Sequence, residues 1–528
     1  MMSKEDARNL VMLVLGVLLV LILVPPVRTF PMTDDWIYSR SVSDLLTWNY
    51  HPPEQAQANL LSHVVWGALF VAVFGQSFTV LSVATLVASI IGLAGFYLLL
   101  RHLSVSPNAA LLGMATLGFN PLYVYLSYTF MTDVTFLTCW ILASLFYVRG
   151  FQGSGDRWLW LGSIMTSIAY LARQPGAILI VAALAYLFWS RRWTWRSAIA
   201  IAAAPLLVAI SFSLWERTQP PNFLPSMVSG IVADPLGFLL ARAPFIGLVI
   251  TPVGLFIAPI LTRPRRVLLA LPTFVILSVL IFVNTHYNGS AFPPNGNVLD
   301  HRGFVMFYYN AAPIWSEPVW AVIGIGSAFI LSLYVAALIE RALQEPGLRQ
   351  RFGRHAGPAW MLYVLAVLMA GLVIGIIPLL FDRYMLPILP LLMIPALRRI
   401  GAMDQANNKL ASGVFLRWVT VGVLATFSIV CMRDYMEHAR VRWEAANRLV
   451  ERGTPGEQID AGLEWQGLYW KQSSTHNQPS TARSASGIAI FYKVSDLLVD
   501  GYTAIDSLPY KSWLSGGEAR HVWLLRRK

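Results

Sequence analysis

The chain reads as a polytopic, mainly helical membrane protein with a small soluble α/β domain at its end. Three observations predict this. Only 12% of its 528 residues are charged while 56% are hydrophobic, against a charged share of about 25% in soluble domains. Apolar stretches recur in blocks long enough to cross a hydrocarbon core of about 30 Å. The charges are also unevenly spread: residues 433–528 hold 24 of the 66, and residues 1–432 hold 42. A membrane domain over 1–432 is therefore followed by a soluble domain over 433–528.

The first block, Leu10 to Val24, follows Lys4 and Arg8 like a signal peptide. Pro25, Pro26 and Arg28 stand where a cleavage site needs small residues, so it reads as an uncleaved first span. Further spans are expected near 79–100, 107–126, 134–150, 158–172, 176–189, 198–215, 244–261, 267–283, 318–339, 359–379, 385–397 and 414–432, about thirteen in all. The apolar run Leu60 to Phe74 sets the orientation of everything after it. If it does not cross, cytoplasmic segments hold 19 of the 26 Lys and Arg in residues 1–432; if it does, they hold 7. The positive-inside bias selects the first arrangement. The run then lies along the outer surface as an interfacial helix, which suits Ser62, His63 and Trp66.

Four polar features then face outward: the loop Thr33-Asp34-Asp35-Trp36, the turn Met131-Thr132-Asp133, the long loop from Asn284 to Pro318, and the turn Phe381-Asp382-Arg383-Tyr384. The terminal domain joins them. It opens with an amphipathic helix around Met436 to Arg452 and continues with short alternating runs at Gly487 to Tyr492 and His521 to Leu525, a mixed α/β pattern. Ser473 to Ser486 reads as a loop. The net charge of +12 sits mostly in short loops between apolar blocks, where it orients the chain; no nucleic-acid partner is expected. The two cysteines, Cys139 and Cys431, lie inside apolar runs and leave no room for a disulfide framework or a thiolate metal site.

Ionisable residues at the ends of spans are functional candidates. Asp34 and Asp35 are adjacent, and two neighbouring acids in a short loop call for a compensating cation, metal or proton, as in an acid/base site. The competing reading is a solvated turn capping the helix that begins near Trp36. Asp133 is either a second acid of that site or the N-cap of the next span. Arg383 stands at the start of a span, and the following Pro387 and Pro390 are expected to break that helix. It either offers a planar fork of donors to a phosphate at headgroup level or anchors the interface in a pair with Asp382. Arg173, in Ala172-Arg173-Gln174-Pro175-Gly176, poses the same choice. His301 and Arg302 are weaker candidates, since a lone loop histidine is more often structural or solvated than a ligand.

Taken in order, Thr33-Asp34-Asp35-Trp36-Ile37-Tyr38, His51-Pro52-Pro53, Phe130-Met131-Thr132-Asp133 and Asp382-Arg383-Tyr384-Met385-Leu386-Pro387-Ile388-Leu389-Pro390 resemble the GT-C superfamily of membrane glycosyltransferases. The similarity is greatest to the protein mannosyltransferase and lipid A aminoarabinose transferase group, over residues 10–400. The resemblance implies a GT-C-type helical bundle with outer juxtamembrane helices, in a bacterial inner membrane, with the site and the C-terminus extracytoplasmic. It implies an inverting transfer of a sugar from a polyprenyl-phosphate donor to a glycan, lipid or protein acceptor. Asp34 would be the general base, with Asp35 or Asp133 orienting the acceptor; Arg383, Tyr384 and Arg173 would hold the donor phosphate. The family's first-loop pair is usually Asp-Glu, and a lysine often stands where Arg173 does. The resemblance names no cofactor and leaves a divalent cation open. A transporter or flippase of lipid-linked glycans is the alternative class. Such a protein should carry ionisable residues in mid-span and paired halves, whereas here the acids cluster at the outer ends.

Overall fold

The computed structural model describes residues 3–53, 58–219, 244–254, 264–287, 298–305, 313–344, 357–375, 382–406, 411–469 and 490–528. It is a mainly helical bundle followed by a small sheet. Six described helices are long and apolar enough to cross a membrane, or seven if one bent pair is a single span, and four shorter apolar helices accompany them. The expected spans near 244–261 and 359–379 extend beyond the described residues. So do the loop at 473–486, the first part of the run 487–492, and much of the loop 284–318.

The first helix, α1 (Lys4–Leu23), starts at a capping box in which the Ser3 hydroxyl accepts from the Asp6 amide and the Asp6 carboxylate accepts from the Ser3 amide. Val11, Leu15, Leu19 and Ile22 are exposed along it. Leu206, Leu207, Ile210 and Leu214 are likewise exposed on α10 (Trp195–Glu216). Rows of exposed aliphatic side chains on long helices fit a lipid solvent and not water. Helix α1 is held at its start by Asp6, which accepts from Tyr97 Oη and Arg101 Nε, each at 2.7 Å, both on α4 (Phe78–His102).

Between them lie α2 (Asp35–Leu46) and α3 (Leu61–Phe74). At 14 residues, α3 extends only about 21 Å, short of a hydrocarbon core. Its polar face is fixed from within the bundle. The buried His63 meets Thr135 Oγ1 at 3.0 Å and the Phe130 carbonyl at 3.1 Å, and Trp66 donates to the Ala84 carbonyl at 2.8 Å.

The third block is two helices. Ser106 and Pro107 start α5 (Pro107–Gly118), Asn120 and Pro121 start α6 (Pro121–Tyr128), and the two meet at a 60° bend. Helix α7 (Thr132–Arg149) packs on α4, where Thr138 donates to the Ala88 carbonyl at 2.8 Å. It also packs on α8 (Asp156–Ala172). A tight 3₁₀ turn, Gln174–Ala177, leads from α8 into α9 (Ile178–Trp189). There a Cβ on Gly176 would lie 2.4 Å from the Tyr170 amide nitrogen, so only glycine allows the turn to fold back and present Arg173.

The later bundle comprises α11 (Pro264–Tyr287), α12 (Glu317–Gln344), α13 (Ala359–Gly375) and α14 (Ile388–Ala406). Pro390 falls in the first turn of α14, where amides have no helical partner, so the helix begins after Pro387 without being broken at Pro390. Helix α15 (Ala411–Glu451) is a single rod of 41 residues. It carries the last apolar run straight into the segment expected to open the soluble domain, with no linker at 432–433.

That domain is a four-stranded sheet in the order β3 (Ile459–Asp460), β4 (Tyr492–Ser495), β6 (Ala519–Arg527), β5 (Tyr502–Lys511). β3 and β4 are parallel and the other pairs antiparallel. Pro509 is tolerated because β5 is an edge strand. The sheet is tied to α15 by the buried Asp434, which accepts from Ser512 Oγ at 2.5 Å and from the Trp513 and Leu514 amides at 2.8 and 3.1 Å. A short helix, α16 (Leu463–Tyr469), lies between β3 and β4 in the chain.

Candidate active site

The loop after α1 ends with Thr33 in a left-handed conformation (φ 48°), which turns the chain into α2. Asp34 occupies the N-cap position of α2, yet its carboxylate makes no capping bond. It faces Arg383 instead, with Oδ2 to Nη1 at 3.9 Å. The helix-cap reading of the first loop therefore does not describe Asp34's side chain. Burial pushes the Asp34 carboxyl above its ordinary range; Arg383 opposes the shift, while Glu464 and Asp133 reinforce it.

Asp35 points the other way. It is fully buried against Arg28, to which it is hydrogen-bonded, and it accepts from the Phe130 amide at 2.7 Å and the Met32 amide at 3.2 Å. Arg28 completes its own set with the Phe30 carbonyl and Ser82 Oγ. Two acids adjacent in sequence thus serve separate surroundings.

Asp133 lies in the first turn of α7, whose N-cap is Met131, so it is not the capping residue. Its Oδ1 accepts from Arg173 Nη1 at 2.6 Å. Its Oδ2 is buried without a hydrogen-bond partner among the described residues. Arg173 also donates to Thr132 Oγ1 at 3.2 Å. The Tyr384 ring lies between the two arginines, its centroid 5.0 Å from Arg173 Cζ and 5.5 Å from Arg383 Cζ. Arg383 also reaches the Met131 sulfur at 3.4 Å.

Arg383 and Tyr384 belong to the 3₁₀ turn Asp382–Met385. Asp382 opens this turn. Its carboxylate accepts from the amides of Val298 (3.1 Å), Leu299 (2.8 Å) and Arg383 (2.9 Å). It clamps the turn to the hairpin of β1 (Leu299–Asp300) and β2 (Gly303–Phe304). His301, at the tip of that hairpin, is buried, and its carbonyl accepts from the Ile314 amide at 2.9 Å. His51 is exposed and meets Gln219 at 2.8 Å.

Of the residues expected from sequence, Asp34, Asp133, Arg173, Arg383 and Tyr384 therefore converge, and Asp35 supports the loop from behind. Two further residues belong to the cluster. Tyr38, one turn along α2, feels the charges of Asp34, Arg383, Arg173 and Asp133; burial above all, and Asp34 next, hold its phenol protonated beyond the usual range. Glu464 acts on Asp34 from α16 of the terminal domain. The helical spacing Asp34 to Tyr38 was readable in sequence, whereas nothing local signals Glu464. Among the described residues, no group of three or more His, Cys, Asp or Glu side chains is placed to hold a metal ion.

The architecture and the cluster define a class first: a multi-pass membrane protein that holds carboxylates against two guanidinium groups where its helices end. Comparison is more particular. Residues 64–215 match the family model described as dolichyl-phosphate-mannose-protein mannosyltransferase, a family of membrane glycosyltransferases to which the chain is thus similar over that segment. The matched segment contains Asp133 and Arg173; Asp34, Asp35, Arg383 and Tyr384 lie outside it. Two solved structures of ArnT from Cupriavidus metallidurans are also similar. The form bound to undecaprenyl phosphate shares 14% identity over 98% of this chain and 97% of that one, with a TM-score of 0.40. The apo form shares 15% identity with the same coverage and TM-score. No curated protein sequence matches the chain.

Proposed function

We propose that the chain is a membrane glycosyltransferase that moves a sugar from a polyprenyl-phosphate donor to an acceptor on the outer face of a bacterial inner membrane. The observation that carries this reading is the juxtaposition of Asp34, with a raised affinity for protons, and Arg383 at 3.9 Å, beside the Asp133–Arg173 pair.

In the proposed reaction an acceptor hydroxyl attacks the anomeric carbon from the face opposite the phosphate. Its proton passes to the Asp34 carboxylate, the new C–O bond forms, the bond from the anomeric carbon to the phosphate oxygen breaks, and the configuration inverts. A positioned base of this kind contributes roughly 10²- to 10⁴-fold. The departing polyprenyl phosphate gains negative charge, and Arg383 and Arg173, both within 5.5 Å of the Tyr384 ring, are placed to meet it. The buried Oδ2 of Asp133, without a hydrogen-bond partner among the described residues, is the acceptor left for a donor or acceptor hydroxyl. Residues 1–432 form the transferase domain in this reading, and 433–528 an extracytoplasmic domain.

Incubating the purified protein with a panel of polyprenyl-phosphate sugars tests the proposal. Release of free polyprenyl phosphate with at least one donor is the expected outcome. A protein that binds these lipids and never cleaves one would instead be a carrier.

A further inference from the structure

The reaction just described makes no use of the terminal domain, yet that domain touches the loop that carries Asp34. Glu464 is 1% exposed, and its Oε1 accepts from the backbone amide of Thr33 at 3.3 Å, across 431 positions of sequence. Arg442 of α15 donates to its Oε2 at 3.3 Å, and Tyr435 donates to its Oε1 at 3.5 Å, so the carboxylate has a defined direction. Thr33 is β-branched and sits at φ 48°, a conformation such residues rarely adopt unaided.

The docking of α16 on α2 continues close beyond this bond. A Cβ on Gly467 would lie 2.2 Å from Trp36 Cε2, so the backbone of α16 rests directly on the indole of the residue two beyond Asp34. Arg40 lies over the Trp36 ring, its Cζ 5.3 Å from the centroid, and donates to the Leu468 carbonyl at 2.7 Å.

We propose that Glu464 is a positioning residue of the transfer site, supplied by the terminal domain: it pins the Thr33 amide in its left-handed turn, directly before Asp34. The inference rests on the reading of Asp34 as the base. It gives the terminal domain a part in the site, because α16 supplies one of the bonds that hold the loop carrying the base.

The charged and titratable groups acting on Asp34 are Arg383, Asp133 and Glu464, with Tyr38 beside them. Removing the like charge of Glu464 makes Asp34 easier to ionise. The rate, which needs the ionised base, then reaches its plateau at lower pH.

The test uses the full-length chain, with Glu464→Gln, Glu464→Ala and the double variant Thr33→Gly/Glu464→Ala. Two quantities are read: polyprenyl phosphate release against pH, and amide hydrogen exchange over residues 32–35. Glu464→Gln keeps an acceptor for the Thr33 amide, so exchange should stay slow while the acidic limb of the kcat profile moves to lower pH with donor KM unchanged. Glu464→Ala should speed exchange about tenfold and lower kcat by a similar factor. Thr33→Gly should restore part of that loss, because glycine adopts positive φ without strain.

A Glu464→Gln profile that superimposes on the wild type, or unchanged exchange in Glu464→Ala, would reduce Glu464 to scaffolding. Should these variants fail to fold because Arg442 is left without its buried counter-ion, Glu464→Gln combined with Arg442→Gln removes both charges together and decides by the same two readouts. If the wild-type chain cleaves no donor, the transferase reading fails, while the exchange measurement still decides whether Glu464 holds the loop.

Discussion

Replacing Asp35 by asparagine should destabilise the fold around the first loop although Asp35 itself takes no part in the proposed chemistry, and the size of the effect follows from the contacts. The Asp35 and Arg28 side chains are both fully buried. Asparagine keeps the volume but leaves the Arg28 charge without its counter-ion, and truncating one partner of a buried pair costs about 3–5 kcal/mol. The amide group must also face one of the three donors that now point at the carboxylate, Arg28 Nη2, Phe130 N–H or Met32 N–H. A buried donor left unsatisfied adds about 1–3 kcal/mol. Against a typical total of about 5–15 kcal/mol, the sum is a large share of what holds a domain folded. The assay is the yield of monodisperse protein and its thermal midpoint at pH 7, for Asp35→Asn, Arg28→Gln and the two combined. The double variant should be less damaged than the two losses added, by about 0.5–3 kcal/mol, because both charges leave together. An Asp35→Asn protein that melts with the wild type and has lost turnover would refute the assignment, and would return Asp35 to the chemistry.

Three other outcomes are expected. Arg383→Lys keeps a charge but loses the fork, so affinity for polyprenyl phosphate should fall about tenfold with folding intact, and Arg383→Ala should lose more; retained affinity in the alanine variant, measured by lipid binding, would show no phosphate contact. Burial lifts the Asp300 carboxyl to about 6. A folded-state value above the unfolded one makes stability fall as pH rises between about 4 and 6, so Asp300→Asn should raise the thermal midpoint at pH 8 and leave it unchanged at pH 4. Single cysteines beside Asp133 and in the terminal domain should react with an impermeant thiol reagent from the outer face, as the distribution of basic residues requires; reaction only from the cytoplasmic side would invert the topology.

The parts of the site legible in sequence are those where one residue at a span end fixes its own position. Asp133, Arg173 and Arg383 each follow or precede an apolar run by one or two residues, so the helix ends carry them to one level. Asp34 and Asp35 could not be told apart this way. Entry into a helix rotates successive side chains by about 100°, which sends Asp34 to the arginines and Asp35 to Arg28, and only tertiary contacts say which is which. Glu464 was beyond reach for the same reason, since its partner Thr33 lies in another domain. The unbroken α15 was readable, because no glycine or proline stands between Gly422 and Gly453 to end it. The edge strand β5 was not, since Pro509 argues against a strand until its place at the sheet edge is known.

The measurement closest to the central claim is turnover of folded Asp34→Asn beside its affinity for a polyprenyl-phosphate sugar. Asparagine preserves size and most hydrogen bonds but cannot take the acceptor's proton at neutral pH. The account predicts a loss of about two to four orders of magnitude in kcat with donor binding little changed. Turnover within a few-fold of the wild type, in a protein that binds donor normally, would contradict it.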